Sequence, residues 1–183
     1  MPFEREFKFV LARGAISDVF WHKPHNILEI EQGYLAKTDG MNARVRRVRT
    51  EDHEEWFTTL KQKVGQKTVE IETEISTIDG NLLMGVADRK VTKSRHEFHA
   101  GEHKWEVDVF YKGTEIYFLM AEVEVDEQEP KPGVPLFLKT HVIFEVPLTD
   151  SRFSNTKLGD MQYAISLYEK LLLNHQHENH LEF

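Results

Sequence analysis

Glu4, Glu6 and Lys8 fall on one face of a strand if the two-residue period of β structure holds, with Phe3, Phe7 and Phe9 on the other. Two carboxylates beside an ammonium offer hard oxygen donors to Mg²⁺ or Mn²⁺, together with a cation for the anion that such a metal neutralises. The same alternation also suits an edge strand of an antiparallel sheet with a solvated outer face. One segment does not separate the two readings, and the rest of the chain has to.

The pattern recurs along the sequence. Arg44 and Arg46 align in 43–49; Lys61 and Lys63 align in 54–63, opposite Trp56, Thr58 and Leu60; Glu70, Glu72 and Glu74 align in 68–76, opposite Val69, Ile71 and Ile75. Farther on, Lys93 and Arg95 align in 91–98, Glu106 and Asp108 in 104–111, and Glu122 and Glu124 in 116–126. Acidic and basic residues are thus sorted strand by strand. An ordinary solvated sheet has no need of that division, whereas a site that binds a polyanion through a metal needs both classes.

The elements that must position these residues are mostly strands. Residues 28–36 read as a strand, and Asp39-Gly40 as a hairpin turn. A short helix is expected over 13–22, with Ile16, Val19 and Phe20 at helical spacing and Pro24 closing it, and another over 80–87. The proline-rich stretch 127–135 reads as a loop, and 136–146 as the place of a short last strand. Met161, Ala164, Ile165, Leu167, Tyr168, Leu171 and Leu172 form the apolar stripe of a helix over 158–174. His175, His177 and His180 follow it, in what reads as a frayed, solvated terminus rather than a metal cluster. With about eight strands whose apolar faces need cover and helices to supply it, the expected fold is α+β. It is an eight-stranded antiparallel barrel with its charged side inward and helices outside, including the long C-terminal one. A single domain over 1–174 and a polar tail over 175–183 are expected.

Composition removes other classes. The 183 residues carry 23 basic and 31 acidic side chains, a net charge of −8 with His neutral. That argues against nonspecific binding of nucleic acid or anionic membranes, so any bound anion must be held by a local basic site. Absence of cysteine excludes disulfides, thiolate metal sites and cysteine nucleophiles. No basic start with an apolar run and no stretch near 18 apolar residues occurs, which gives the expectation of a cytoplasmic protein without a membrane anchor.

At this point the first strand resembles the Glu-x-Glu-x-Lys signature of the CYTH superfamily, the triphosphate tunnel metalloenzymes. These include inorganic triphosphatases, thiamine triphosphatases and class IV adenylate cyclases. The likeness continues in order through Gln32-Gly33-Tyr34-Leu35, Arg44-x-Arg46, Thr59-Leu60-Lys61, the alternating Glu70, Glu72 and Glu74, and Lys93-x-Arg95. It goes on with Glu106-Val107-Asp108-Val109-Phe110 and Glu122-Val123-Glu124, and ends at Asp150, Arg152, Phe153 and Asn155. One departure stands out. Where the family often has Arg-x-Glu-x-Glu, Thr68 or Glu70 precedes the glutamate pair, with Lys67 adjacent, so one phosphate contact is either missing or supplied by Lys63 or Lys67.

The resemblance implies a barrel whose interior takes a linear triphosphate with Mg²⁺ or Mn²⁺. Lys8, Arg44, Arg46, Lys61, Lys63, Lys93, Arg95 and Arg152 would bind phosphate oxygens. Glu4, Glu6, Glu72, Glu74, Asp108, Glu122 and Glu124 would hold metal, and Lys93, Arg95 and Glu6 would carry catalysis. The activity expected is hydrolysis of inorganic tripolyphosphate to pyrophosphate and phosphate by a monomer or homodimer. Thiamine or nucleoside triphosphates are the alternative substrates. Trp56, Trp105 and Tyr111 are aromatic candidates for stacking on an organic moiety, although strand aromatics are more often core. The cyclases carry a His-Phe pair a few residues upstream of their signature, for which the three residues before Glu4 leave no room. A noncatalytic module binding polyphosphate or nucleotides is the remaining alternative.

Overall fold

Side chains that alternate between apolar and charged decide the architecture, because successive residues of a strand point to opposite faces of the sheet. In this computed structural model the described residues are 4–38, 41–64 and 67–180, without the side chains of 4, 36–38, 63–64, 67–68 and 178–180. Phe3, the Asp39-Gly40 turn and the side chains of Glu4, Lys63, Lys67 and His180 lie outside the described residues. The strands are β1 (Glu4–Leu11), β2 (Asn26–Thr38), β3 (Met41–Arg49), β4 (Glu54–Val64), β5 (Lys67–Ile75), β6 (Arg89–Ala100), β7 (His103–Lys112), β8 (Glu115–Asp126) and β9 (Val142–Val146). The helices are α1 (Ala15–Trp21), α2 (Thr77–Gly85), α3 (Leu136–Lys139), α4 (Asn155–Leu158) and α5 (Met161–His180). The class is α+β with antiparallel strand pairs, as expected from the sequence.

The chain forms two compact units, one of residues up to Ile27 and from Ser94 onward, the other of Leu28–Lys93. In the first, the strand order is β6-β7-β8-β1-β9, so the first strand of the chain sits between two of the last. Gly101 (φ 64°) and Gly113 (φ 61°) make the tight turns from β6 to β7 and from β7 to β8, where the left-handed backbone favours glycine. One face of this sheet packs Phe7, Phe9, Leu11, Val107, Val109, Leu119, Ala121 and Val123 against Ala15 and Val19 of α1 and Leu138 of α3. Full burial of each large apolar side chain stabilises by roughly 1.5–3 kcal/mol, so this face anchors the unit.

The opposite face of the same strands changes character along its length. At one end it carries Glu6, Lys8, Glu106, Asp108, Glu122 and Glu124; at the other it continues as Val10, Phe110, Phe118 and Met120, all buried. The C-terminal segment covers the apolar end. Phe118 meets Phe153 at 6.4 Å and Tyr168 of α5 at 6.3 Å between ring centroids. The Tyr168 hydroxyl accepts from the Arg13 amide at 3.0 Å, and the Arg13 guanidinium lies over its ring at 4.5 Å. Tyr117 donates to the Leu158 carbonyl at 3.1 Å, and burial, helped by Asp160, pushes its hydroxyl up to about 12.

In the second unit the order is β5-β4-β3-β2. Its apolar face packs Val45 and Trp56 against Met84 of α2. Ser76 caps that helix by accepting from the Asp79 amide at 3.1 Å. Gly80 lets α2 lie directly on the indole, for a Cβ there would stand 2.3 Å from the Trp56 ring. On β2, a Cβ at Gly33 would collide with Ala87 and Met84.

Several boundaries differ from the sequence reading. There are nine strands among the described residues rather than eight, because 142–146 pairs with β1 across a bulge at Val10 and Leu11, while 136–139 is helical. Helix α2 starts at its Ser76 cap, ahead of the expected 80. The C-terminal helix begins at Met161, after Asp160 accepts from the Tyr163 amide at 3.1 Å, and it carries His175 and His177 within its last turns.

Gly80→Ala tests the contact beneath α2. Alanine gains about 1 kcal/mol of helix propensity, but overpacking against a ring that cannot retreat costs roughly 1–3 kcal/mol. Net destabilisation, read as a lower urea midpoint, is the expected outcome.

Candidate metal and phosphate site

Cross-strand register sets like charges against each other in the first unit. Glu6 stands opposite Glu124 across β1 and β8, and Glu106 stands opposite Glu122 across β7 and β8. Directly opposed carboxylates destabilise a sheet unless cations come between them. Three bases do so. Lys8 Nζ lies 2.6 Å from Glu6 and 2.7 Å from Glu122. The Arg95 guanidinium forks onto Asp108 with two bonds of 2.8 Å, reaches Glu122 at 3.1 Å and also pairs with Glu106. Lys104 lies 2.7 Å from Glu106 and 3.1 Å from Glu97.

Burial makes these contacts strong. Asp108 is fully enclosed and Glu122 is 3% exposed. At an effective dielectric near 20, a pair 4 Å apart interacts by roughly 4 kcal/mol. Burial works against the charge on Arg95, but Asp108, Glu122 and Glu106 more than compensate and hold the guanidinium above its ordinary range. The same opposition, burial against Glu122 and Glu6, leaves Lys8 raised, and burial against Glu106 and Glu97 leaves Lys104 raised. For Glu97, burial favours the neutral acid, yet Asn26, Lys104 and His25 together hold its carboxyl below the usual range.

The second unit carries another sorted face. Arg46 pairs with Glu72 at 2.8 Å, Lys61 with Glu70 at 2.8 Å, and Arg44 with Glu70 at 3.4 Å and Glu72 at 3.7 Å. Thr59, fully buried, donates to Glu72 at 2.7 Å. Gln32 and Tyr34 stand opposite Arg46 and Arg44, and the Gln32 amide donates to the Tyr34 hydroxyl. Lys93 is 3% exposed, while Glu74 is exposed on β5.

Of the residues singled out in the sequence, Glu6, Lys8, Arg95, Asp108, Glu122 and Glu124 share one face of the first unit, and Arg44, Arg46, Lys61, Glu72 and Glu74 share one face of the second. Arg152 sits in a 3₁₀ turn, bound to Asp150 at 2.7 Å and lying over Phe144 and Phe153. Lys104 and Glu97 were not anticipated, and Glu106 was read only as an acid of the face. The signal was present: Lys104-x-Glu106-x-Asp108 has the two-residue period of Glu4-x-Glu6-x-Lys8 with the order of charges reversed.

Donor chemistry and space decide whether a divalent metal fits. A cavity of about 240 Å³ is lined by Glu106, Glu122, Glu124 and Lys104. Its donors are all carboxylate oxygens, the set that hard cations prefer. Among the described residues no three acidic or imidazole groups converge closely enough to hold a metal as they stand, since Lys8, Arg95 and Lys104 occupy several of the carboxylates. The chemistry of the lining fits, with these bases acting as internal counter-ions.

The strands and the charge-sorted faces define an antiparallel α+β protein. The family model of the CYTH domain matches residues 2–150, and the chain belongs to that family. Members of the family typically act on triphosphates and generally use divalent metals. A search of curated proteins found no match. Among solved structures the chain is similar to the hypothetical protein NE1496, with 26% identity, a TM-score of 0.57, and coverage of 86% of this chain and 97% of that one. It is also similar in fold to PH1012 of Pyrococcus horikoshii OT3, with 19% identity, a TM-score of 0.51, and coverage of 70% and 81%. A third is the "putative adenylate cyclase (bh2851)" of Bacillus halodurans, with 16% identity, a TM-score of 0.51, and coverage of 84% and 98%. No helix among the described residues is long and apolar enough to cross a membrane.

Two measurements check the electrostatics. Asp108→Asn removes the bidentate partner of Arg95 while Glu106 and Glu122 still pair with it, and chemical unfolding should show a loss of roughly 1.5–3 kcal/mol. Because Glu97 is held below its ordinary value of 4.5, its contribution is full above that pH and is lost as pH falls through the lowered value. The stability gap between the protein and Glu97→Gln should therefore be widest near neutrality and shrink below about pH 4.5.

Proposed function

We propose that the protein hydrolyses a linear triphosphate, inorganic tripolyphosphate first, with Mg²⁺ or Mn²⁺. The observation that carries this reading is the pair of directly opposed carboxylates, Glu6 with Glu124 and Glu106 with Glu122, on a face where acids outnumber bases. Such a face accepts a further cation, and membership of the CYTH family supports a triphosphate as the anion that accompanies it.

In this reading Glu4, Glu6, Asp108, Glu122 and Glu124 hold the metal, with Glu72 and Glu74 as further candidate ligands. A divalent cation there would neutralise phosphate oxygens and polarise the phosphorus toward attack. Lys8, Arg44, Arg46, Lys61, Lys63 and Arg152 bind phosphate oxygens. Lys93 and Arg95 stabilise the charge that develops at the breaking bond, and Glu6 accepts a hydrogen bond from the attacking water. Arg95 is suited to that task because its partners already fix it, so no reorganisation is needed as charge develops. The reading takes the protein as cytoplasmic, acting as a monomer or homodimer.

The test is product analysis with tripolyphosphate, ATP and thiamine triphosphate, each with Mg²⁺ and with Mn²⁺. Orthophosphate from tripolyphosphate, with ATP largely spared, is expected; cyclic AMP from ATP would overturn the proposal. Lys8→Ala and Glu122→Ala should each lower turnover by roughly 10²–10³-fold. Circular dichroism of the variants separates lost chemistry from lost fold, and a fully active, folded double variant would sink the assigned site.

A further inference from the structure

A separate cavity of about 580 Å³ opens in the first unit between the end of α1, the end of β6 and the start of α3. Its size lies in the range of small-molecule sites, and its walls are mostly rings. His22 stacks on Phe137 at 4.3 Å with planes 20° apart, Phe137 meets Phe98 at 5.1 Å, and His25 stacks on His99 at 4.3 Å with planes 18° apart. Leu136 stands at the rim with 85% of its surface exposed. An open pocket with apolar plates and an uncovered leucine at its lip is a poor arrangement for water and a good one for a planar ring.

The polar groups of the cavity are cationic or can donate. Lys23 has no carboxylate partner among the described residues. His22 is held through its Nδ1 against the Asp18 carbonyl at 2.9 Å, and His25 leans toward Glu97 at 3.7 Å. The nearby acids are already engaged: Glu97 by Lys104 and Asn26, Asp18 by His141 at 2.6 Å. The backbone adds a second sign. Lys23 is the one non-glycine residue with positive φ among the described residues, at 46°, in the position after a helix end where glycine costs least. Its amide, bonded to the Phe20 carbonyl at 3.3 Å, serves the helix end, and glycine would do this equally well. A lysine there brings a cation to the cavity at the expense of backbone strain.

We propose that this cavity is a second ligand site, distinct from the charged faces, for a planar aromatic ring that bears a phosphate, of the nucleoside monophosphate class. The ring lies against the plates of His22, Phe137 and Phe98, and the phosphate is held by Lys23 with His99.

Isothermal titration with AMP, using adenosine and inorganic phosphate as probes of each half alone, tests it. Saturable AMP binding is expected, with each half-probe at least tenfold weaker. Lys23→Gly removes the cation and relieves the left-handed strain, so its melting temperature should hold or rise while AMP binding weakens about tenfold or more. His99→Ala should weaken AMP binding also. The binding should persist in excess tripolyphosphate. No saturable AMP binding below about 1 mM, unchanged affinity in both variants, or displacement by tripolyphosphate would each overturn the proposal. None of these outcomes bears on whether tripolyphosphate is hydrolysed.

Discussion

Carboxylates that face one another across hydrogen-bonded strands are the constraint on which the first unit depends. Glu106 and Glu122 cannot share adjacent strands without a cation between them, and Arg95 supplies it from β6 while forking onto Asp108. Lys8 does the same between Glu6 and Glu122. Lys8, Arg95 and Lys104 are each shared between two or more of Glu6, Glu97, Glu106, Asp108 and Glu122, so these acids outnumber the three cations that bridge them and repel one another.

This face is kept effective by what closes its other end. The strands that carry the acids run on into Val10, Phe110, Phe118 and Met120, over which Phe153 and Tyr168 pack. Burying rings there lowers the local dielectric beside Asp108, so the ion pairs gain strength from an apolar neighbour. Removing one partner becomes correspondingly costly. The C-terminal helix is thus tied to the charged face through packing.

The two-residue sorting of charge was legible in the sequence because strand geometry maps alternation directly onto faces, and Glu6, Lys8, Arg95, Asp108 and Glu122 fell together as read. Helix ends were harder. The Ser76 cap and the Asp160 cap act through single hydrogen bonds that leave little hydrophobic pattern. Within 136–146, the place expected for a short last strand, Leu136, Phe137, Val142 and Ile143 are all apolar, and only the path of the chain separates a turn of helix from β9. Lys104 escaped notice because a lone lysine at the start of a strand looks like solvated surface. Its importance comes from contact with β6 through Glu97, a partner that no local pattern in β7 reveals.

The two sorted faces differ in how firmly their cations are held. Arg95 is clasped by enclosed carboxylates, and exchanging them for a ligand would strand Asp108. Arg44, Arg46 and Lys61 are paired instead with Glu70 and Glu72, which are exposed on β5. Exposed pairs of this kind are worth about 0–1 kcal/mol, so under the proposed function a phosphate group with several charges would displace them at little cost. Glu70 and Glu72 thus hold Arg44, Arg46 and Lys61 in order on this face. Under the proposed function, the guanidinium of the first unit would offer charge that needs no rearrangement, and the cations of the second would offer charge that an anion can claim.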